Sequence, residues 1–302
     1  MNNPILFLKG FAMGLADIVP GVSGGTVAFI TGIYDELLKS ISSVNKEFVK
    51  LLLSSKIKEA IEHINIKFLI PLFIGIASAI LLTSRLMHYL LNEYPTHTWG
   101  FFFGLIIASI IYISKSIEKP WTTKKVIKLI MGASIGYALV SLVPVQTENN
   151  YLNIFFSGSI AICAMILPGI SGSFILLILG KYAFVTGALK APFVDNNLIY
   201  ILVFCIGCLI GLLSFSKILN FLMNKYHQAM ILILTGFMIG SLKKIWPWKE
   251  TLKSITVRGK THVLSEVNVL PEASTSTYLT IGIMIFGFII VFAIEKFAVK
   301  KN

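Results

Sequence analysis

The string Pro-Gly-x-Ser-Gly occurs twice, at residues 20–24 and 168–172, each time inside an apolar stretch. Pro20 and Pro168 lack a backbone N–H, and Gly21 and Gly169 permit turns that other residues resist, so each string stops a helix. Residues 7–34 slide onto 155–182 without a gap, at a constant offset of 148 residues. Gly10/Gly158, Pro20/Pro168, Gly21/Gly169, Ser23/Ser171, Gly24/Gly172, Gly32/Gly180 and Tyr34/Tyr182 all coincide. Chance apolar similarity would not align the Pro, Gly and Ser punctuation, so the chain is read as a duplication.

The surroundings of these breaks decide the solvent. With 56% hydrophobic and only 13% charged residues, and a mean hydropathy of +0.82, the chain is too apolar for a soluble domain. Runs at 68–91, 99–117 and 278–294 approach the ~20 residues a helix needs to cross hydrocarbon. They show none of the alternation of barrel strands, so the spans are helical. The start of the chain lacks a basic n-region and carries Asp17, so it is expected to be retained. Cys163, Cys205 and Cys208 lie in apolar segments and read as small hydrophobes; no metal site and no cofactor are expected. The net charge of +12 sits mainly in loops flanking apolar runs, which points to a membrane surface and its lipids rather than to nucleic acid.

A second block repeats at an offset of 132, placing Ser84-Arg85 on Ser216-Lys217, Asn92 on Asn224, Tyr94 on Tyr226 and Gly104 on Gly236. The expected fold is an all-α polytopic membrane protein of two repeats, each a re-entrant broken-helix hairpin followed by three transmembrane helices. The N-terminal repeat, 1–150, has its hairpin at about 5–38 and spans at about 68–91, 99–117 and 126–143. The C-terminal repeat, 151–302, has its hairpin at about 155–189 and spans at about 198–222, 230–246 and 278–297. Each half crosses an odd number of times, so the second is expected to be inverted, as in many secondary transporters. Gly-x-x-x-Gly spacings at Gly100/Gly104, Gly132/Gly136, Gly207/Gly211 and Gly236/Gly240 predict close helix packing.

Lysine-rich loops at 42–67 and 118–125, against loops at 92–97 and 145–152 that have no Lys or Arg, place both termini in the cytoplasm. The polar stretch 243–277 carries several basic residues on the opposite side and resists this assignment.

A Gly- and Ser-rich tip at membrane depth must be buried in protein or line a wet cavity. Its hydroxyls and backbone N–H groups suit a phosphate or carboxylate. Ser23, Gly24, Gly25 and Thr26 on the first tip, and Ser171, Gly172 and Ser173 on the second, are therefore candidate phosphate-binding residues. Arg85 with Ser84, and Lys217 with Ser216, add one cation per repeat, either to capture phosphate or as long side chains snorkelling to nearby headgroups. Asp17 has no counterpart, since Met165 stands opposite it; a carboxylate there either carries a coupling proton or cation or caps backbone N–H groups at the break. His88, one turn after Arg85, reads as an interfacial histidine.

The string Gly14-x-Ala16-Asp17-x-Val19-Pro20-Gly21-Val22-Ser23-Gly24-Gly25-Thr26, followed by Gly32-x-Tyr34, resembles the signature of the membrane family known as domain of unknown function 368. The resemblance spans essentially the whole chain, and it is looser at the second copy, where Ser173-Phe174 replaces Gly25-Thr26. It implies a polyprenyl-phosphate transporter that returns undecaprenyl phosphate from the outer to the inner leaflet of the bacterial cytoplasmic membrane, recycling the carrier lipid of peptidoglycan. Coupling to protons or cations fits that role. Two other classes remain: an integral-membrane undecaprenyl-diphosphate phosphatase, and a small-anion transporter or channel. The phosphatase needs an acidic cluster near the serine, and Asp17 is the only carboxylate near either tip.

Overall fold

The computed structural model describes residues 3–19, 22–145, 147–257 and 260–299, so Pro20, Gly21 and Arg258 lie outside the described residues. The first hairpin is α1 (Asn3–Ile18), α2 (Gly24–Ile30) and α3 (Tyr34–Ser42). Amphipathic helices α4 (Lys46–Leu53) and α5 (Ile57–His63) follow, then α6 (Ile66–Glu93), α7 (Pro95–Ser114) and α8 (Thr123–Val140). The second hairpin is α9 (Tyr151–Ile166), α10 (Gly172–Ile178) and α11 (Tyr182–Lys190). The remainder is α12 (Asn197–Ile245), an antiparallel ribbon of β1 (Lys249–Val257) and β2 (Lys260–Asn268), and α13 (Thr275–Val299).

Among the described residues four helices, α6, α7, α12 and α13, are long and apolar enough to cross a membrane, and the bent pair α10/α11 is a fifth if the two form one broken span. Their outward faces are greasy: Leu81 and Leu82 of α6 are 80% and 74% exposed. That is the burial pattern of a multi-pass membrane protein, whose lipid-facing residues have no reason to be polar.

Four expectations change. The return limb of each hairpin is not one helix but two, because Gly32 (φ 69°) and Gly180 (φ 67°) adopt the left-handed conformation that ends α2 and α10; α10 and α11 meet at 114°. The loop at 42–67 contains α4 and α5, with Asn45 capping α4 through the N–H groups of Glu47 and Phe48. The polar stretch at 243–277 holds the β-ribbon. Helix α8, read as a span over 126–143, is not among the helices apolar enough to cross, because Lys124, Lys125 and Lys128 load its first two turns.

The chain packs as two compact units, Met1–Ser84 with Val145–Met230, and Arg85–Pro144 with Ile231–Asn302. Each unit takes one portion of each sequence repeat. In the first, α1 lies so close on α6 that a Cβ on Gly10 would overlap the carbonyl oxygen of Leu72, and one on Gly75 that of Phe7. The same approach recurs between α9 and α12, with Gly158 on Phe204 and Gly207 on Phe155, the residues shifted by 148 and 132. In the second unit, Gly104 of α7 meets the Met284 carbonyl of α13, and Gly236 of α12 meets that of Leu129 on α8. Gly132 on Ile233 and Gly287 on Phe101 complete the same crossings. Helices in lipid gain little from apolar burial against one another, so backbone-to-backbone approach at glycine supplies the packing.

Candidate functional site

Both breaks lie in the first unit, and the fold joins them. Ser23 caps α2 by accepting the Gly25 N–H at 3.0 Å, and its own hydroxyl donates to the Met165 carbonyl at 2.7 Å. In the other direction the Gly169 N–H, held by a backbone at φ 96°, donates to the Thr26 hydroxyl at 2.9 Å. Gly25 has no side chain because the carbonyl of Ile166 occupies the place of its Cβ. Ser23 and Thr26 are fully buried. Residues more than 140 positions apart are thus stitched tip to tip.

Asp17 also acts at this junction. Its Oδ1 accepts the Gly24 N–H at 2.7 Å, and a Cβ on Gly24 would stand 2.6 Å from Oδ2. Eight residues earlier on α1, Lys9 donates to the Thr31 carbonyl at the other end of α2 at 2.7 Å. On the second tip, Ser171 caps α10 through the Phe174 N–H at 3.3 Å and lies 3.2 Å from the Ser173 hydroxyl. Ser171 and Gly172 are buried and Ser173 is half-buried.

The basic candidates stand on long helices. Ser84 ends one portion of the first unit and Arg85 begins the second unit, both on α6. Ser216, fully buried on α12, donates to the Leu213 carbonyl at 3.2 Å. Arg85 and Lys217 are exposed, and neither has an ionic or hydrogen-bond partner among the described residues. His88 is exposed and its Nδ1 lies 2.6 Å from Asn92 Nδ2.

Sequence reasoning missed two lysines beside this site. Lys181, fully buried at the α10/α11 bend, donates to the carbonyls of Thr147 (2.5 Å) and Glu148 (2.6 Å) and to Asn149 Oδ1 (2.8 Å). Lys9 is the second. The signal for both was present: a lysine inside an apolar run needs a partner. The carbonyls of Met165 and Ile166 carried no signal, since backbone acceptors are identical at every position. No group of His, Cys, Asp or Glu suited to a metal ion occurs among the described residues.

Residues 13–263 match the undecaprenyl phosphate translocase-like family. The chain belongs to that family. It is 45% identical to a polyprenyl-phosphate transporter of Vibrio cholerae over 308 aligned residues, covering 99% of this chain and 98% of the relative. It is 34% identical to a polyprenyl-phosphate transporter of Staphylococcus aureus over 267 residues, covering 82% of this chain and 87% of that relative. Family and relatives are transporters rather than enzymes, which removes the phosphatase reading. No solved structure matches the chain.

Proposed function

We propose that this protein moves undecaprenyl phosphate from the outer to the inner leaflet of the bacterial cytoplasmic membrane, with its two repeats inverted and both termini in the cytoplasm. Arg85 and Lys217 carry the reading. They occupy matching positions of the two repeats, are exposed on helices long and apolar enough to cross a membrane, and have no partner among the described residues. An unpaired cation in such a helix is costly, and a phosphate headgroup is the partner that offsets it. In this scheme the phosphate is held at Arg85, with Ser84 beside it, in the first repeat and at Lys217, with Ser216 beside it, in the second, while the prenyl tail stays in lipid. Ser23, Gly24, Gly25 and Thr26 on the first tip and Ser171 and Gly172 on the second are buried where the tips join, so their part is to hold that junction, with half-buried Ser173 beside them. Inward release is coupled to proton or cation entry.

The glycine contacts that recur at constant offsets support a repeated architecture, and the loop lysines support its orientation. The test is headgroup accessibility of labelled undecaprenyl phosphate in proteoliposomes. Wild type translocates the label, and Arg85→Ala and Lys217→Ala slow it. Equal rates in all three would remove the cations from the mechanism. No translocation by wild type under any gradient, or flux of small anions without lipid, would overturn the function.

A further inference from the structure

Among the described residues Asp17 is the one carboxylate at the joined tips, and chemistry alone leaves two jobs open to it: carrying the coupling ion, or holding backbone. Geometry separates them. Helix α2 is seven residues long, and α1 grips it at both ends. At its start, where unsatisfied N–H groups make a positive pole, the Asp17 carboxylate accepts the Gly24 N–H at 2.7 Å. At its end, where carbonyls make a negative pole, the Lys9 ammonium donates to Thr31 at 2.7 Å. Each charge faces the pole that it stabilises.

The second copy has neither charge. Ser157 stands where Lys9 stands and Met165 where Asp17 stands, and the Met165 contribution to the junction is its backbone carbonyl. The other residues found only in the first copy have packing duties too: Gly25 lies flush on the Ile166 carbonyl, and Thr26 accepts from Gly169. Gly25 and Thr26 are thus both used in seating α2 on the second break.

Resting on the transport function above, we propose that Asp17 is a positioning residue: with Lys9 it clamps the two ends of α2 and so holds the tip junction, and it acts as a hydrogen-bond acceptor rather than as carrier of the coupling ion. An asparagine at the same place keeps the acceptor oxygen and loses the ionisable group, so Asp17→Asn separates the two roles.

The experiment uses full-length protein in proteoliposomes with labelled undecaprenyl phosphate, with and without imposed proton and sodium gradients, alongside thermal unfolding in detergent. Asp17→Asn is expected to translocate within about threefold of wild type and to respond to the gradients as wild type does, whereas Asp17→Ala falls roughly tenfold or more and unfolds at lower temperature. Lys9→Met lowers the unfolding temperature in the same direction as Asp17→Ala. An Asp17→Asn protein that is as stable as wild type but has lost its gradient response, or that is as slow as Asp17→Ala, would overturn the clamp and make Asp17 the carrier. Should wild type translocate nothing, the function fails, and unfolding alone judges the clamp: it stands if Asp17→Ala is destabilised and Asp17→Asn is not, and falls if the two behave alike.

Discussion

Tyr94 and Tyr226, 132 residues apart, share nearly one backbone conformation, φ −132°, ψ 50° and φ −131°, ψ 42°. Tyr94 is the corner between α6 and α7, and Tyr226 interrupts what would otherwise be a single 49-residue helix, α12. Helix α12 is therefore two limbs joined at the counterpart of the α6/α7 corner. Lys225 lies over the rings of Phe221 and Tyr226 at this point, and His227 faces Asp35 of α3 at 3.4 Å.

The corner predicts where proline is tolerated. Pro95 follows Tyr94 at the start of α7, where its missing N–H costs nothing, so His227→Pro should cost less than about 1 kcal/mol. Leu222→Pro, inside the preceding limb, should cost about 3 kcal/mol or more. Thermal unfolding of both variants checks this, and equal losses would contradict the corner.

Glycine substitutions should sort by what faces them. Gly104→Val and Gly236→Val drive a side chain into the carbonyls of Met284 and Leu129 and should each cost at least about 1–3 kcal/mol. Gly282→Val meets nothing within 4 Å and should be near neutral on unfolding temperature.

Lys181→Met should free the link between the repeats. It leaves three acceptors at Thr147, Glu148 and Asn149 without their ammonium, at about 1–3 kcal/mol. The measurable consequence is faster proteolytic cleavage within residues 147–150, with no matching change in the β-ribbon.

The base of the ribbon should strengthen in alkali. Lys249 packs over the Trp99 ring at 4.5 Å and faces Glu266 at 3.5 Å. Burial pushes its ammonium down from 10.5 to about 8, against the pull of Glu266. The folded site disfavours the charged form, so between pH 8 and 10.5 the unfolded chain holds more protons and stability rises with pH. Lys249→Met should flatten that part of the unfolding-temperature profile, and an unchanged slope would count against it.

Much of this was written in local chemistry. The breaks were legible because proline and glycine stop helices wherever they stand, and most spans because an apolar run near 20 residues has few other fates. Each half-helix kink was illegible although Gly32 and Gly180 stand at matching positions, since a glycine reveals permission for a left-handed turn and not its use. The β-ribbon was illegible: the sequence of residues 249–257 does not alternate polar and apolar residues, and without that period nothing distinguishes a ribbon from a loop.

By itself, then, the sequence determined a duplicated, lipid-embedded helical chain with two interrupted segments and one matched cation per repeat, because composition and punctuation act over a few turns of chain. Tertiary structure alone decided which groups those interruptions satisfy. Ser23 reaches the Met165 carbonyl and Thr26 the Gly169 N–H across more than 140 residues, Asp17 faces Gly24 across the break, and Lys9 closes the far end of α2. Backbone donors and acceptors look alike at every position. Only the folded chain can choose among them.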